Sequence, residues 1–243
     1  MDLSKHNVSG ILFDLDGTLI DPFRALDHAL FAIFDKYGHQ YDSSRGMQTL
    51  GRPMKELFAE IAGPENVDRL VDEFWASYET VNTDTKMVFV LPGVIEMLET
   101  LREHRIPVGV ATNKQGTVAR RELTEMGLTP YVELCVGVGD RYRNKPFRAK
   151  PEADMLLFLA DQMGLVPDKT LYVGDTDVDI AAARSARMHS VGVGPNMSRV
   201  SSAENVPVFI LPSSAHLPVI LHEHLQRSQK GLSKPVFSLD RER

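Results

Sequence analysis

Asp14 and Asp16 stand two residues apart, directly after the apolar run from Gly10 to Phe13. Such a run reads as a buried strand, so both carboxylates arrive at its end, where they repel each other and lose solvation. They need a cation, a shared proton or a dense set of donors to be tolerated, and a magnesium site is the economical explanation. Other polar groups follow apolar runs in the same way. Thr112-Asn113 comes after Val108 to Ala111, and Asp175 to Asp179 comes after Leu171-Tyr172-Val173-Gly174. Lys150-Pro151 opens a further helical pattern. Parallel strands deliver their carboxyl ends to one edge of a sheet, so these groups converge in space although they lie far apart in sequence.

Acids, a hydroxyl, an amide and a lysine suit phosphoryl transfer through an aspartyl-phosphate. A carboxylate can attack phosphorus and hold the group covalently when a divalent cation and a lysine neutralise the oxygens involved. Asp14 is the candidate nucleophile. Asp16, beyond the strand end, is the candidate to protonate the leaving oxygen and later to take a proton from water. Asp14, the backbone carbonyl of Asp16, and Asp175 are the candidate magnesium ligands, with Asp179 orienting the set or binding through water. Thr112 and the amides beside it would bind phosphate oxygens, and Lys150 would add a fixed positive charge.

Ordinary readings compete with these. Thr112 and Asn113 are also residue types that cap helices. Lys145-Pro146 offers a second Lys-Pro pair, although only Lys150-Pro151 runs on into Glu-Ala-Asp and a helix. Asp175, Asp177 and Asp179 have the spacing of a calcium loop, but Ile180 stands where its glycine belongs and Ala186 where its glutamate does, which rejects it.

The elements that must position these groups alternate. Apolar runs at Ile11 to Phe13, Val108 to Ala111, Val132 to Val136, Leu171 to Val173, Ser190 to Val193 and Val208 to Leu211 predict strands. Helical spacing predicts helices over Gly116 to Met126, Asp154 to Met163 and Val178 to Ala186. The fold class is therefore α/β, a doubly wound parallel-sheet core. Residues 21 to 91 break the alternation with helical stretches at Ala25 to Tyr37, Met54 to Ala62 and Val67 to Val81. They lie between Asp21-Pro22 and Leu91-Pro92-Gly93, which predicts a helical insert, 21–91, between the two parts of a core domain, 1–20 and 92–243. An insert leaving at that edge would cover the site as a lid.

Composition narrows the class. The chain of 243 residues, 43% of them apolar, suffices for a packed core. A net charge of -6 leaves no broad basic patch, so nucleic acid is not expected as a partner. The single cysteine, Cys135, excludes an internal disulfide and a cysteine-based zinc cluster. No stretch approaches the roughly 20 apolar residues of a membrane span, and Asp14 and Asp16 interrupt any leader-like run, so a cytoplasmic location is expected. The eight histidines have no metal-ligand spacing, His222 and His224 included.

Four segments together resemble the haloacid dehalogenase-like (HAD) phosphatases. They are Phe13-Asp14-Leu15-Asp16-Gly17-Thr18-Leu19, Ala111-Thr112-Asn113-Lys114, Lys150-Pro151-Glu152-Ala153-Asp154 and Val173-Gly174-Asp175-Thr176-Asp177-Val178-Asp179, in the family's order. The resemblance covers about residues 10 to 195 and implies a Rossmann-like core with a helical C1 cap. Asp16 matters most, because dehalogenases of this superfamily lack the second aspartate that phosphatases and phosphomutases have. The resemblance implies catalytic roles for Asp14, Asp16 and Lys150, and metal binding by Asp14, Asp16, Asp175 and Asp179 with Mg2+ as cofactor. It implies substrate contacts by Thr18, Thr112, Asn113 and, from the cap, Arg52. Gly51-Arg52-Pro53 and Thr112-Asn113-Lys114 are similar to phosphoglycolate phosphatase-like members, so the expected partner is a small phosphorylated metabolite. Family members often have proline where Ala153 stands, and the segment Gln226 to Arg243 lies outside the resemblance.

Rival readings share the core. A phosphosugar mutase would return the phosphate to a second hydroxyl, and pyrophosphate or a nucleotide could replace the simple monoester. A cap lysine such as Lys55 could support Schiff-base cleavage of a phosphonate. From another class, the chain could be a phosphometabolite-binding regulator without turnover.

Overall fold

The structure, a computed structural model, describes residues 8–43, 54–55, 58–59, 66–85, 87–195, 197 and 206–221. The predicted stretch Met54 to Ala62, Arg52 and the tail 226–243 lie largely or wholly outside them.

The strands β1 (Gly10–Phe13), β4 (Val108–Gln115), β5 (Leu134–Val138), β8 (Thr170–Gly174), β9 (His189–Val193) and β10 (Phe209–Leu211) form one sheet in the order β10-β9-β8-β1-β4-β5. Every pairing in it is parallel. The chain runs outward from β1 through β4 to β5, then crosses back to lay β8 on the other side of β1. The switch point therefore falls at β1, where ligands bind in such sheets.

Alternate side chains of each strand enter opposite cores. Ile11, Phe13, Val108, Val110, Leu171 and Val173 pack with α3 (Val94–Glu103) and α4 (Gly116–Glu125). Leu12, Ala111, Val136 and Tyr172 face α5 (Asp154–Gln162) and α6 (Asp177–Ser185). Both faces of the sheet are thus covered, which is why the strands read as unbroken apolar runs. Each fully buried Leu, Ile or Phe of this kind contributes about 1.5–3 kcal/mol.

The predicted sheet and its helices are present, with shifted ends. The strand expected over Val132 to Val136 is Leu134–Val138, and that expected over Val108 to Ala111 continues to Gln115. A register irregularity between Thr112 and Gln115 accompanies this extension. Helix α3 was not predicted. Its apolar positions Val94, Met97, Leu98 and Leu101 have helical spacing, but Gly93 before it, at φ 77°, supplies no side-chain cap.

The inserted segment leaves and returns through a short antiparallel pair, β2 (Ile20–Asp21) and β3 (Phe89–Val90), where the sequence offered no strand. Between them, α1 (Phe23–Lys36) buries Ala25, Leu26, Ala29, Leu30, Ile33 and Phe34, a stripe at helical spacing. Helix α2 (Val67–Thr85) buries Leu70, Phe74 and Tyr78, spaced four apart, and Phe58 packs edge-on against Phe74. A second short pair, β6 (Arg141–Tyr142) with β7 (Lys145–Pro146), follows β5 and is exposed.

Candidate active site

Asp14 is the first residue beyond β1. Its amide donates to the Val173 carbonyl at 2.8 Å, so the ladder that holds β1 to β8 also sets the direction of the carboxylate. Asp175 follows the end of β8, and Thr112 lies near the carboxyl end of β4. Carboxylate oxygens of Asp14, Asp175 and Asp179, all buried, lie within 4.8 Å of one another. Gly17, at φ 76°, carries the loop after β1 past Asp175. A Cβ there would come within 2.4 Å of an Asp175 carboxylate oxygen, so the loop needs glycine for both conformation and room.

Lys150 is buried, and its ammonium donates to Asp14 Oδ1 at 2.6 Å, Asp179 Oδ1 at 2.6 Å and the Tyr172 hydroxyl at 3.0 Å. Its three donors are thereby used. Tyr172 in turn donates to the Ala111 carbonyl at 2.8 Å. The alternative lysine, Lys145, is exposed in β7. Asn113 grips the Lys150 main chain: its Oδ1 accepts from the Lys150 amide at 2.7 Å and its Nδ2 donates to the Lys150 carbonyl at 3.1 Å. That contact engages the side chain expected to touch substrate.

Asp179 is held from all sides. Its Oδ2 accepts from the Thr176 amide at 3.0 Å and from the Thr176 hydroxyl at 2.6 Å, closing a capping box at the start of α6. Asp177 is exposed on the same turn. Thr112 and Asn113 do not cap α4, whose N-cap is Gln115 with no side-chain bond. The Thr112 hydroxyl instead accepts from the Lys114 amide at 3.1 Å, which leaves its proton to donate. The Thr18 hydroxyl is buried and has no hydrogen-bond partner among the described residues. An unsatisfied buried hydroxyl costs about 1–3 kcal/mol, a cost that a bound oxygen would relieve.

Three residues of the site, Lys114, Glu122 and Tyr78, received no role from the sequence, although Lys114 closes one of the four matching segments. Lys114 is buried, and its ammonium donates to Asp16 Oδ1 at 2.7 Å, Glu122 Oε2 at 2.6 Å and the Tyr78 hydroxyl at 3.2 Å. Lys114 and Lys150 thus repeat one arrangement, an ammonium between two carboxylates and a tyrosine. The available signal was Glu122, a charged residue on the apolar stripe Val118, Ala119, Leu123 of α4.

Charge follows from this geometry. Burial pushes the Asp14 carboxyl up to about 7 despite the opposing Lys150 ammonium, with Asp179 and Asp16 adding to the rise. Burial likewise raises Asp16 against the pull of Lys114, although its side chain keeps an opening to solvent at 14% exposure. Burial alone would depress both lysines. Asp16 and Glu122 around Lys114, and Asp14 and Asp179 around Lys150, overcome it and hold both ammonium groups well above the usual range. The carboxylates of Asp14, Asp16, Asp175, Asp179 and Glu122 share this cluster with the ammonium groups of Lys114 and Lys150. The excess of negative charge and the hard oxygen donors fit a divalent cation beside Asp14 and Asp175.

A parallel α/β sheet with this acidic edge, two buried lysines and a helical insert beside it defines a class of hydrolase. The haloacid dehalogenase-like hydrolase family matches residues 11–193. Phosphoglycolate phosphatase of Escherichia coli strain K12 is 30% identical, over 77% of this chain and 82% of that protein. Among solved structures, a haloacid dehalogenase-like family hydrolase from Streptococcus pneumoniae superposes with a TM-score of 0.75 at 20% identity, covering 89% of this chain and 99% of that one. β-Phosphoglucomutase from Clostridium difficile superposes at 0.72 with 21% identity, covering 90% and 98%; these two likenesses speak to fold.

The chain belongs to the haloacid dehalogenase-like hydrolase family, and the expectation of a phosphatase of that family agrees with both kinds of comparison. Among the described residues no helix is long and apolar enough to cross a membrane. Lys55, considered for a Schiff base, is exposed and paired with Asp68 at 2.6 Å.

Proposed function

We propose that the protein is a magnesium-dependent phosphatase that hydrolyses a small phosphate monoester through a phospho-Asp14 intermediate. The observation that carries this is the separation of two carboxylates, Asp14 and Asp16, onto two different buried lysines. One acid is thereby prepared to attack and the other to move protons.

Asp14 attacks phosphorus, and the bond to the leaving oxygen breaks while Asp16 delivers its proton to that oxygen. Water then attacks the phospho-Asp14. Asp16 takes the water's proton, and inorganic phosphate leaves with the Asp14 carboxylate restored. Lys150 holds the attacking carboxylate in one plane and offsets charge on the transferring group, while Thr112 and Thr18 donate to phosphate oxygens. Asp14, Asp175 and the main-chain carbonyl of Asp16 would hold the cation, with Asp179 orienting Lys150 and the start of α6. A bound magnesium ion supplies electrostatic stabilisation of the phosphoryl oxygens. Residues 21–91 act as the cap that excludes bulk water, and Arg52 is the cap residue expected to meet the leaving group.

Phosphoglycolate is the favoured substrate, because the Escherichia coli relative that matches over 77% of this chain is named for it. Phosphate release from phosphoglycolate, sugar phosphates, nucleotides and pyrophosphate, with and without magnesium, tests the reading. Magnesium-dependent release that Asp14→Asn abolishes supports it. Normal turnover by Asp14→Asn, in a preparation free of contaminating phosphatase, overturns it. A sugar bisphosphate accumulating in place of free phosphate would identify a mutase.

A further inference from the structure

Asp16 bridges to Ile20 across the turn at residues 17–19, and among the described residues its carboxylate makes one side-chain ion pair, with Lys114 at 2.7 Å. The position of that acid is therefore the position of the Lys114 ammonium. Lys114 is fixed by two other groups, and those lead away from the catalytic edge. Glu122 on α4 takes one lysine donor at 2.6 Å with Oε2, and its other oxygen accepts from the Tyr78 hydroxyl at 2.5 Å. Tyr78 accepts the remaining lysine donor at 3.2 Å and lays its ring 5.1 Å from the ammonium. Every donor of Lys114 and both oxygens of Glu122 are engaged, so the network has no slack.

The network also joins two parts of the chain. Lys114 and Glu122 belong to the sheet domain, whereas Tyr78 comes from α2 of the inserted segment, 36 residues before Lys114 in sequence. That segment enters through β2, which begins four residues after Asp16. If α2 lifted, Glu122 would lose its hydroxyl donor and Lys114 its third acceptor, in a place where charge without partners is expensive. Lys114 would recentre between the two carboxylates, and Asp16 would turn with it.

We infer that Tyr78 and Glu122 are positioning residues which, through Lys114, aim the Asp16 carboxyl at the leaving oxygen when α2 is seated. The inference rests on the proposed acid–base role of Asp16. Its consequence is selective: an alkyl phosphate needs its leaving oxygen protonated, whereas a p-nitrophenolate departs without that help. Loss of the relay must therefore slow alkyl ester cleavage and spare the first turnover of the aryl ester.

The test is single-turnover cleavage of phosphoglycolate and burst release from p-nitrophenyl phosphate, using the full chain and its Tyr78→Phe, Glu122→Gln and Asp16→Asn variants. Tyr78→Phe keeps the ring that packs on Phe74 and Trp75, and so removes only the hydroxyl. Both relay variants are expected to lose about tenfold or more with the alkyl ester, as small misplacements of a reacting group do, while keeping the aryl burst. Equal losses on the two esters would mean a structural role, and unchanged rates no role; either overturns the relay. If Asp16→Asn slows the alkyl ester selectively and the relay variants do not, the relay alone is wrong. If Asp16→Asn treats the esters alike, the acid role of Asp16 falls and the relay with it.

Discussion

Asn113 holds both ends of the Lys150 residue's main chain, accepting from its amide at 2.7 Å and donating to its carbonyl at 3.1 Å, across a sequence separation of 37. The lysine that meets Asp14 is thus anchored at its backbone by a residue of another strand, β4. Asn113→Ala leaves both main-chain groups to find new partners and lets Lys150 drift. We expect a loss of about 1–3 kcal/mol in urea unfolding. Turnover should fall by about tenfold to a hundredfold, because the ammonium is misplaced rather than removed. Asn113→Asp keeps the acceptor but loses the donor, and should fall between the two. Full activity in Asn113→Ala would refute the anchoring role.

Two glycines with similar backbone angles separate strain from steric conflict. Gly17 has φ 76° and faces the Asp175 carboxylate, whereas Gly38 has φ 72° with nothing within 4 Å of the place a methyl group would take. Gly38→Ala should cost only the left-handed conformation, about 1–2 kcal/mol, and leave activity intact. Gly17→Ala carries the same strain and also displaces a candidate metal ligand, so the concentration of magnesium needed for half-maximal activity should rise sharply. Magnesium titration of the two variants side by side checks this, and equal responses would count against Asp175 as a ligand.

The sheet was legible because a parallel strand buried on both faces writes itself as an apolar run, as at Leu171 to Val173. The candidate site was legible for the same reason: once the strands are parallel, the residues after Phe13, Ala111 and Gly174 must gather at one edge. Polar positions inside elements were not legible. β4 continues through Thr112, Asn113 and Lys114, where the apolar run has ended and only pairing with β5 sustains the strand. Tyr78, Lys114 and Glu122 come from an inserted helix, a strand and another helix, and periodicity gives the face of a residue without naming its partner across 36 or 44 positions.

Cys135 offers a check on the packing of β5 that is independent of catalysis. Burial pushes its thiol up to about 12 against the opposing Arg120 guanidinium, with Asp140 adding to the rise. Almost no thiolate then exists near neutral pH, and the thiolate is the reactive form. Iodoacetamide at about pH 8 should leave the folded chain unmodified over hours and modify it completely in urea, as read by intact mass. Rapid alkylation of the folded chain would place Cys135 at an accessible surface.

Asp14 links the proposed metal to pH. Its carboxyl lies at about 7 in the folded chain, against an ordinary 3.8. Between about pH 4 and pH 7 the folded chain, stripped of metal by a chelator, therefore holds a proton that the unfolded chain has released. The contribution of this group to stability falls as pH rises through that window and levels off above it. Asp14→Asn removes that contribution, so the variant should gain on the parent chain in urea unfolding from pH 4 to pH 7 and run parallel to it beyond. Magnesium favours the ionised carboxylate, so its binding should expel up to about one proton at pH 6, and its affinity should weaken as pH drops. Calorimetry in two buffers of different ionisation enthalpy counts that proton. Release that is the same in Asp14→Asn as in the parent chain would remove Asp14 from the metal site.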